Sequence, residues 1–477
     1  MQQNDRSQLA TQPIGKLLFK LAVPTVIAQL VNMLYNIVDR IYIGHMPEVG
    51  SMALTGVGVC MPLIMIVTAF AALIVSGGAP RASIFMGKGD LTEAERTLGN
   101  CFSAQVILSL LLTLAMLLWN REMLLSFGAS ENTIDYAVDY MNVYAAGTIF
   151  VQLTLGMNAF ITAQGFTRTS MLTVLIGAVA NIVLDPLFIY VFGMGVQGAA
   201  LATVISQAIS CVWVICFLCG QKTALRLKLA NMKIVPKILF PCLALGLSAF
   251  IMQGSESVIS VCFNSSLLRY GGDTAVGAMT ILTSVMQFAM LPMQGIAQGA
   301  QPISSYNYGA GNADRVKKTF RLLLISCLIY STLLWGIIQL APRAFAGIFT
   351  SDATLLDFTA NAMHIYFAAL LLFGIQIATQ MTFVSIGNAV CSIIVAVTRK
   401  FVLLLPLIYI LPHLVPDKTM GVYLAEPIAD TLAITFTSVL FTVQFKKAMK
   451  ALEKKNGGQG ADKPTPPSRP FSGEARS

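Results

Sequence analysis

The stretch GGAPRASIFMGKGD at 77–90 returns, altered but recognisable, as GAQPISSYNYGAGN at 299–312. At this offset of 222, Pro80 meets Pro302, Ser83 meets Ser305, and Gly87 and Gly89 meet Gly309 and Gly311. The same offset sets Tyr144 on Tyr366 and Gly165 on Gly387; Pro186 and Gly198 match Pro406 and Gly421 at offsets of 220 and 223. A nearly constant spacing held across most of a chain marks a duplication. The basic stretch GQKTALRLKLANMKIVPK, residues 220–237, joins the two halves.

The sequence around the repeat is apolar: 56% of the 477 residues are hydrophobic and 11% charged, against roughly 25% charged in a soluble chain. Twelve apolar runs stand out, at 17–43, 52–77, 98–119, 138–162, 171–192, 198–219, 238–268, 275–300, 322–341, 360–387, 395–414 and 421–443. Each is long enough for a helix to cross a hydrocarbon core, which takes about 20 residues. Alternating strand patterns are absent, which argues against a β-barrel. The expected fold is an all-α integral membrane protein of two six-helix lobes. Because six is even, both halves enter from one side, and the pseudo-two-fold axis runs along the membrane normal. The expected divisions are an N-terminal segment 1–16, an amino lobe 17–219, the linker 220–237, a carboxy lobe 238–443, and a disordered tail 444–477 ending in KPTPPSRPFSG-type sequence.

The net charge of +9 raises the question of a nucleic-acid partner, but its distribution answers it. With the amino terminus inside and the spans alternating, inner segments hold 26 Lys and Arg and outer segments 5. That asymmetry is the positive-inside rule, and it puts both termini in the cytoplasm of a cell whose inner membrane holds the protein. This count assigns Arg399 and Lys400 to an inner segment, as the flank of the run 395–414 in which they fall. The first apolar run is too long for a cleavable leader. The nine cysteines form no disulfide framework, and Cys216 and Cys219 lack the second pair that a zinc site requires.

Polar residues inside the spans are costly in lipid and must face protein or water. Gln29, Asn32, Asn36 and Asp39 lie at spacings of 3, 4 and 3 on one face of span one. Gln253, Glu256 and Ser260 repeat the first three positions in span seven at an offset of 224. Span eight adds Gln287 and Gln294, with Met286 and Met290 among a methionine stripe that suits adaptable contacts as readily as ordinary packing. These residues, Glu256 above all, are candidates for a second ion or a cationic substrate. Counting back from the outer ends of spans one, five and six puts Asp39, Asp185 and Thr203 about 6, 10 and 8 Å deep. Asn181 shares a helix face with Asp185, and Pro186 frees the carbonyl of Ile182 beside them. Oxygen ligands at one level suit a hard cation, a proton or sodium. Glu426 and Asp430 form a further acidic pair around Pro427 in span twelve, which solvation from outside would also explain.

With VDRIYIG (38–44), NIVLDPLFIY (181–190), VQGAALATVIS (196–206), MQGSES (252–257), YGGDTAVGAM (270–279) and QGAQPISSYNYGAGN (298–312) in this order, the chain resembles the multidrug and toxic compound extrusion (MATE) family over nearly all of 12–445. The resemblance implies a monomeric antiporter, without a cofactor, that exports cationic or amphipathic organic compounds in exchange for inward protons or sodium. It also implies a cation site at Asp39, Asn181, Asp185 and Thr203. Some sodium-coupled members place acids in spans seven and ten; span ten here has Gln376, Thr379, Gln380 and Thr382 but no acid, leaving Glu256 without that companion. A flippase of lipid-linked saccharides is the nearest alternative, disfavoured because the buried charges read as acidic; a more specific metabolite exporter is another. No G-x-x-x-x-G-K-[ST] loop and no assembled catalytic constellation is present, so neither an ATP-driven pump nor an enzyme is expected.

Overall fold

The computed structural model describes residues 8–47 and 49–458. Every regular element among them is helical, as lipid requires when each backbone N–H and C=O must be satisfied within its own segment. The amino lobe contains α1 (Ile14–Gly44), α2 (Gly50–Gly87), α3 (Leu91–Ser126), α4 (Ile134–Ala146 and Thr148–Ala163), α5 (Thr167–Pro186, continued by a π turn at Leu187–Val191) and α6 (Gly195–Cys219). In the carboxy lobe, α7 and α8 are the two parts of one 74-residue helical run, Pro236–Gly309. At 1.5 Å per residue this run is about 110 Å long, far more than one crossing needs. It reverses at Gly272, whose φ of +65° and ψ of −161° only glycine adopts without strain; α7 is therefore 236–271 and α8 273–309. Then follow α9 (Ala313–Leu340), α10 (Ala353–Tyr366 and Phe373–Ser385), α11 (Ala389–Val397, a π segment Thr398–Leu404, and Leu405–Ile410) and α12 (Lys418–Gly458). Twelve helices in two lobes result, as the repeat implied.

The duplication is visible in backbone geometry. Gly89 and Gly311, paired by the sequence offset, both have φ of 81°, and Gly165 and Gly387 have 89° and 75°. Each of these glycines turns the chain after a helix at the end of the bundle that also carries the linker, here called the linker end. The helices α4 and α10 are each broken near mid-span, by 55° and 45°, where unbroken spans were expected. Helix α12 continues to Gly458, so residues 444–458 are helical rather than disordered as expected from composition; 459–477, and 1–7 of the amino-terminal segment, lie outside the described residues.

The lobes meet along α1 and α2 on one side and α7 and α8 on the other. Small residues let these backbones touch, as in membrane helix pairs generally. A Cβ at Gly246 would stand 1.8 Å from the carbonyl oxygen of Leu73, and one at Gly77 1.9 Å from that of Cys242. Gly295 and Gly299, four apart on α8, lie against Val26 and Ala22 of α1. Nearer the linker end, Gly87 packs on Tyr306 and Gly309 on Ile84. Polar contacts follow the same seam. Thr25 donates to the carbonyl of Gly295 at 2.6 Å and Gln29 to Gln298 at 3.1 Å. At the linker end itself Arg315 donates to the carbonyls of Leu9 and Gln12. Beyond Gln29 the seam side of α1 opens, with Asn32 and Arg40 exposed. The seam named here is thus closed toward the linker end and parts toward the far end.

The linker is itself pinned to the amino lobe. Gln164 Oε1 accepts from Thr223 Oγ1 and from the amides of Ala224 and Leu225, at 2.8, 2.8 and 3.0 Å, and Lys228 pairs with Glu95 at 2.6 Å.

Because Gly77 touches backbone, which cannot swing aside, Gly77→Val is expected to cost about 1–3 kcal/mol as overpacking, measured as a fall in thermal stability of the purified protein. Gly58→Val, where no atom lies within 4 Å, is expected to leave the melting temperature unchanged.

Candidate functional site

The amino-lobe cluster forms where α1, α4, α5 and α6 approach one another near the far end. Helix α5 ends in Asp185–Pro186; proline has no N–H to give, and the backbone widens into a π turn directly after it. Such widenings recur at functional sites because they redirect side chains and loosen backbone acceptors. Asn181 and Asp185, one turn apart, are 1% and 0% exposed. Asn181 Nδ2 donates to Asp185 Oδ1 at 3.1 Å. Asp39 of α1 lies close enough to Asp185 for their charges to interact. Tyr140 of α4 lies close to both Asp39 and Thr203 of α6. The four residues expected at this site, Asp39, Asn181, Asp185 and Thr203, are therefore brought to one cluster, and Tyr140 is an addition that the sequence reading missed. Its only signal was its position one turn before Tyr144, which the repeat had already marked; the two rings stack with centroids 6.2 Å apart.

Three buried oxygens here have no hydrogen-bond partner: Asp39 Oδ1, Asn181 Oδ1 and Asp185 Oδ2. An unmet buried acceptor costs on the order of 1–3 kcal/mol, more when charged. Three acceptors from two helices, with two carboxylates among them, form a donor set for a hard cation or for protons. The near cationic side chain, Arg40, is adjacent to Asp39 in sequence and exposed.

The carboxy lobe holds a different cluster on the matching four helices, α7, α10, α11 and α12. Arg399 and Lys400, which the charge count had placed in an inner segment, lie eleven and twelve residues into the apolar stretch Ala389–His413, in the π segment of α11. Their side chains are only 8% and 3% exposed. Arg399 Nε donates to Asp430 Oδ1 at 2.7 Å, its Nη2 stands 3.6 Å from Glu426 Oε1, and its guanidinium lies 4.9 Å from the centre of the Phe373 ring. Lys400 Nζ donates to Glu256 Oε1 at 2.6 Å. Two expectations are corrected. Glu256 is not alone, and Glu426 and Asp430 form no solvated face, being 6% and 2% exposed. The premise that the buried charges are acidic falls with them: three acids here face two bases. Hydropathy could not see this, because two adjacent cations look like the end of a span, and their counter-ions are supplied by helices far off in sequence.

The polar stripes divide. Gln29 joins the lobes through Gln298, and Asn36 donates to the carbonyl of Asn32 at 2.6 Å. Asn32, Gln253, Gln287 and Gln294 are exposed; amides that lipid would not tolerate at these depths must face water between the lobes. Met286 and Met290 are partly buried against the carboxy-lobe core, which favours packing. Among the described residues no group of three or more His, Cys, Asp or Glu is arranged to hold a metal ion, and Cys216 and Cys219 are free and exposed.

Fold and clusters together define a two-lobe membrane transporter. The family model MatE matches residues 24–187 and 248–410, one segment in each lobe, and the chain belongs to this family of multidrug and toxic compound extrusion transporters. The multidrug export protein MepA of Staphylococcus haemolyticus is 24% identical over 423 residues, covering 88% of this chain and 92% of that one. MepA of Staphylococcus aureus is 23% identical over 399 residues, covering 84% and 87%. Among solved structures, a MATE protein in the bent conformation superposes with a TM-score of 0.88 at 24% identity, over 94% of this chain and 99% of that one. A MOP superfamily transporter from Pyrococcus furiosus, described as having a binding pocket of reverse polarity, gives 0.86 at 24%, over 93% and 98%.

Removing Arg399 leaves two buried carboxylates without their partner. Arg399→Met is expected to destabilise by about 3–5 kcal/mol, with Asp430→Leu added to it restoring part of the loss, as read from thermal unfolding in detergent.

Proposed function

We propose that the protein is a cation-coupled antiporter that exports cationic or amphipathic organic compounds across the inner membrane, with proton or sodium entry through the amino-lobe cluster as the driving reaction. The observation that carries this reading is the trio of unpartnered buried oxygens on Asp39, Asn181 and Asp185. In a low-dielectric interior such a set is stable only when it takes up a cation or protons. Exchange follows from competition: the carboxylates charged by losing a proton or sodium favour an organic cation in the adjoining cleft, and refilling them from the far side releases it. The lobes then rock about the glycine seam of α1, α2, α7 and α8, closing one end as the other opens.

The excess of Lys and Arg supports assigning the linker end, and with it both termini, to the cytoplasm. With that assignment the arrangement described above opens outward, the state in which a drug leaves and a coupling ion enters. Five exposed amides and carboxylates would not be needed for a protein that bound its substrate by apolar contact alone, and Asn32, Gln253, Glu256, Gln287 and Gln294 supply polar purchase along the cleft. Neither Arg399 nor Lys400 makes the cleft cationic, since each already faces a carboxylate; the lipid-linked saccharide reading gains nothing from them. The single chain, with its site complete in one copy, is read as a monomer.

In everted vesicles loaded with an imposed gradient, Asp39→Asn and Asp185→Asn are expected to abolish gradient-driven ethidium transport, and Thr203→Ala to reduce it severalfold. Imposing a pH gradient and a sodium gradient separately identifies the ion. Full gradient-driven transport by Asp39→Asn would refute the assignment.

A further inference from the structure

We propose that Lys400 is a tethered cation that occupies the carboxy-lobe counterpart of the ion site and sets the threshold at which Glu256 accepts an external organic cation. The inference rests on the antiport reading above. The two clusters draw on matching helices: α1 and α7, α4 and α10, α5 and α11, α6 and α12. By the repeat offsets Glu426 takes the place of Thr203, while Glu256 takes that of Asn32, seven residues from Asp39 along α1. The carboxy-lobe cluster thus keeps its level at Glu426 and is displaced toward the linker end at Glu256, by about 10 Å. What differs chemically is the content. The amino-lobe set has three oxygens without partners; in the carboxy lobe the corresponding demand is met by side chains from α11.

Geometry limits which of those side chains can be displaced. Arg399 is held between Asp430 and Glu426 with all three nearly buried. Lys400 hydrogen-bonds a single carboxylate, that of Glu256, with Glu426 near enough for their charges to interact; the Glu256 side chain is 54% exposed while the lysine is 3% exposed. A cation approaching from the cleft therefore meets the Glu256 carboxylate first, with the ammonium fixed behind it at 2.6 Å. The approaching charge has to compete with a covalently attached one, whose effective concentration is high because it cannot leave. Arg399, whose charge also reaches Glu256, stays anchored on Asp430 and Glu426. The class of ligand this wall receives is a monovalent organic cation, and Lys400 is a specificity-determining residue that weakens its hold.

Binding of tetraphenylphosphonium to the full-length protein in nanodiscs tests the idea. Lys400→Gln is expected to bind the probe about tenfold more tightly, Lys400→Arg as the parent does, and Lys400→Gln with Glu256→Gln to lose the gain. No tightening in Lys400→Gln, or a gain that survives the second substitution, overturns the inference while leaving the amino-lobe assignment to its own transport test. Should Lys400→Gln fail to fold, counting cations on the parent protein decides. Sodium is counted by equilibrium dialysis with radioactive tracer and protons by an indicator. A single coupling cation, lost in Asp39→Asn, supports the tethered-cation reading; one retained in Asp39→Asn and lost in Glu256→Gln overturns it.

Discussion

Lipid offers a buried charge no partner, so each carboxylate within the spans must find its counter-charge in the protein or in something that binds. This constraint organises the molecule. In the carboxy lobe Arg399 and Lys400 meet Glu426, Asp430 and Glu256 at 2.6–3.6 Å, and the demand is largely satisfied from within. In the amino lobe Asp39, Asn181 and Asp185 leave three oxygens unmet, and the demand remains open. A lobe that neutralises its own acids admits an external ion only in competition with its own bases; one that does not leaves its acids open to whatever cation arrives.

The same constraint explains why the helices depart from regularity where they do. Both clusters lie beside a π segment, Leu187–Val191 in α5 and Thr398–Leu404 in α11, each in the neighbourhood of a proline matched by the repeat. Both also lie beside a broken helix, α4 or α10. A regular helix surrounded by lipid hides its backbone and rigidly fixes its side chains. Widening it by a residue or breaking it turns polar groups inward and gives the lobe a place to bend. The duplication supplied these irregularities to both lobes, and the charges placed on them diverged afterwards.

How much of this was legible in the sequence follows from the range of each interaction. The twelve spans and the two-lobe plan were legible because hydropathy and the 222-residue offset are properties of the chain itself. The grouping of Asp39, Asn181, Asp185 and Thr203 was legible because depth can be counted along a helix, and each lies close to an end that turns mark clearly. Arg399 and Lys400 were misplaced because local hydropathy reads any charge as a boundary. Their true depth depends on Glu256, 144 residues away, and on Asp430, 31 residues away. Tyr140 escaped notice for a similar reason: nothing in its own helix says that it faces Thr203.

The seam between the lobes imposes one more requirement, and it links the two clusters. Where Gly77 meets Cys242 and Gly309 meets Ile84, backbones are in contact and have no side chains to rearrange, so the lobes can hinge or part there but cannot deform gradually. In the proposed antiport a cation entering the amino lobe alters electrostatics on α1 and α5, and α1 is also a seam helix through Ala22, Thr25, Val26 and Gln29. Glu256 stands on α7, the seam helix of the other lobe. On that reading each cluster acts on a helix that carries the contact between lobes, one through a charge that comes and goes, the other through a charge held in place by Lys400. A fixed carboxy lobe gives the variable amino lobe something rigid to work against, and a symmetric scaffold can in this way run a directional cycle.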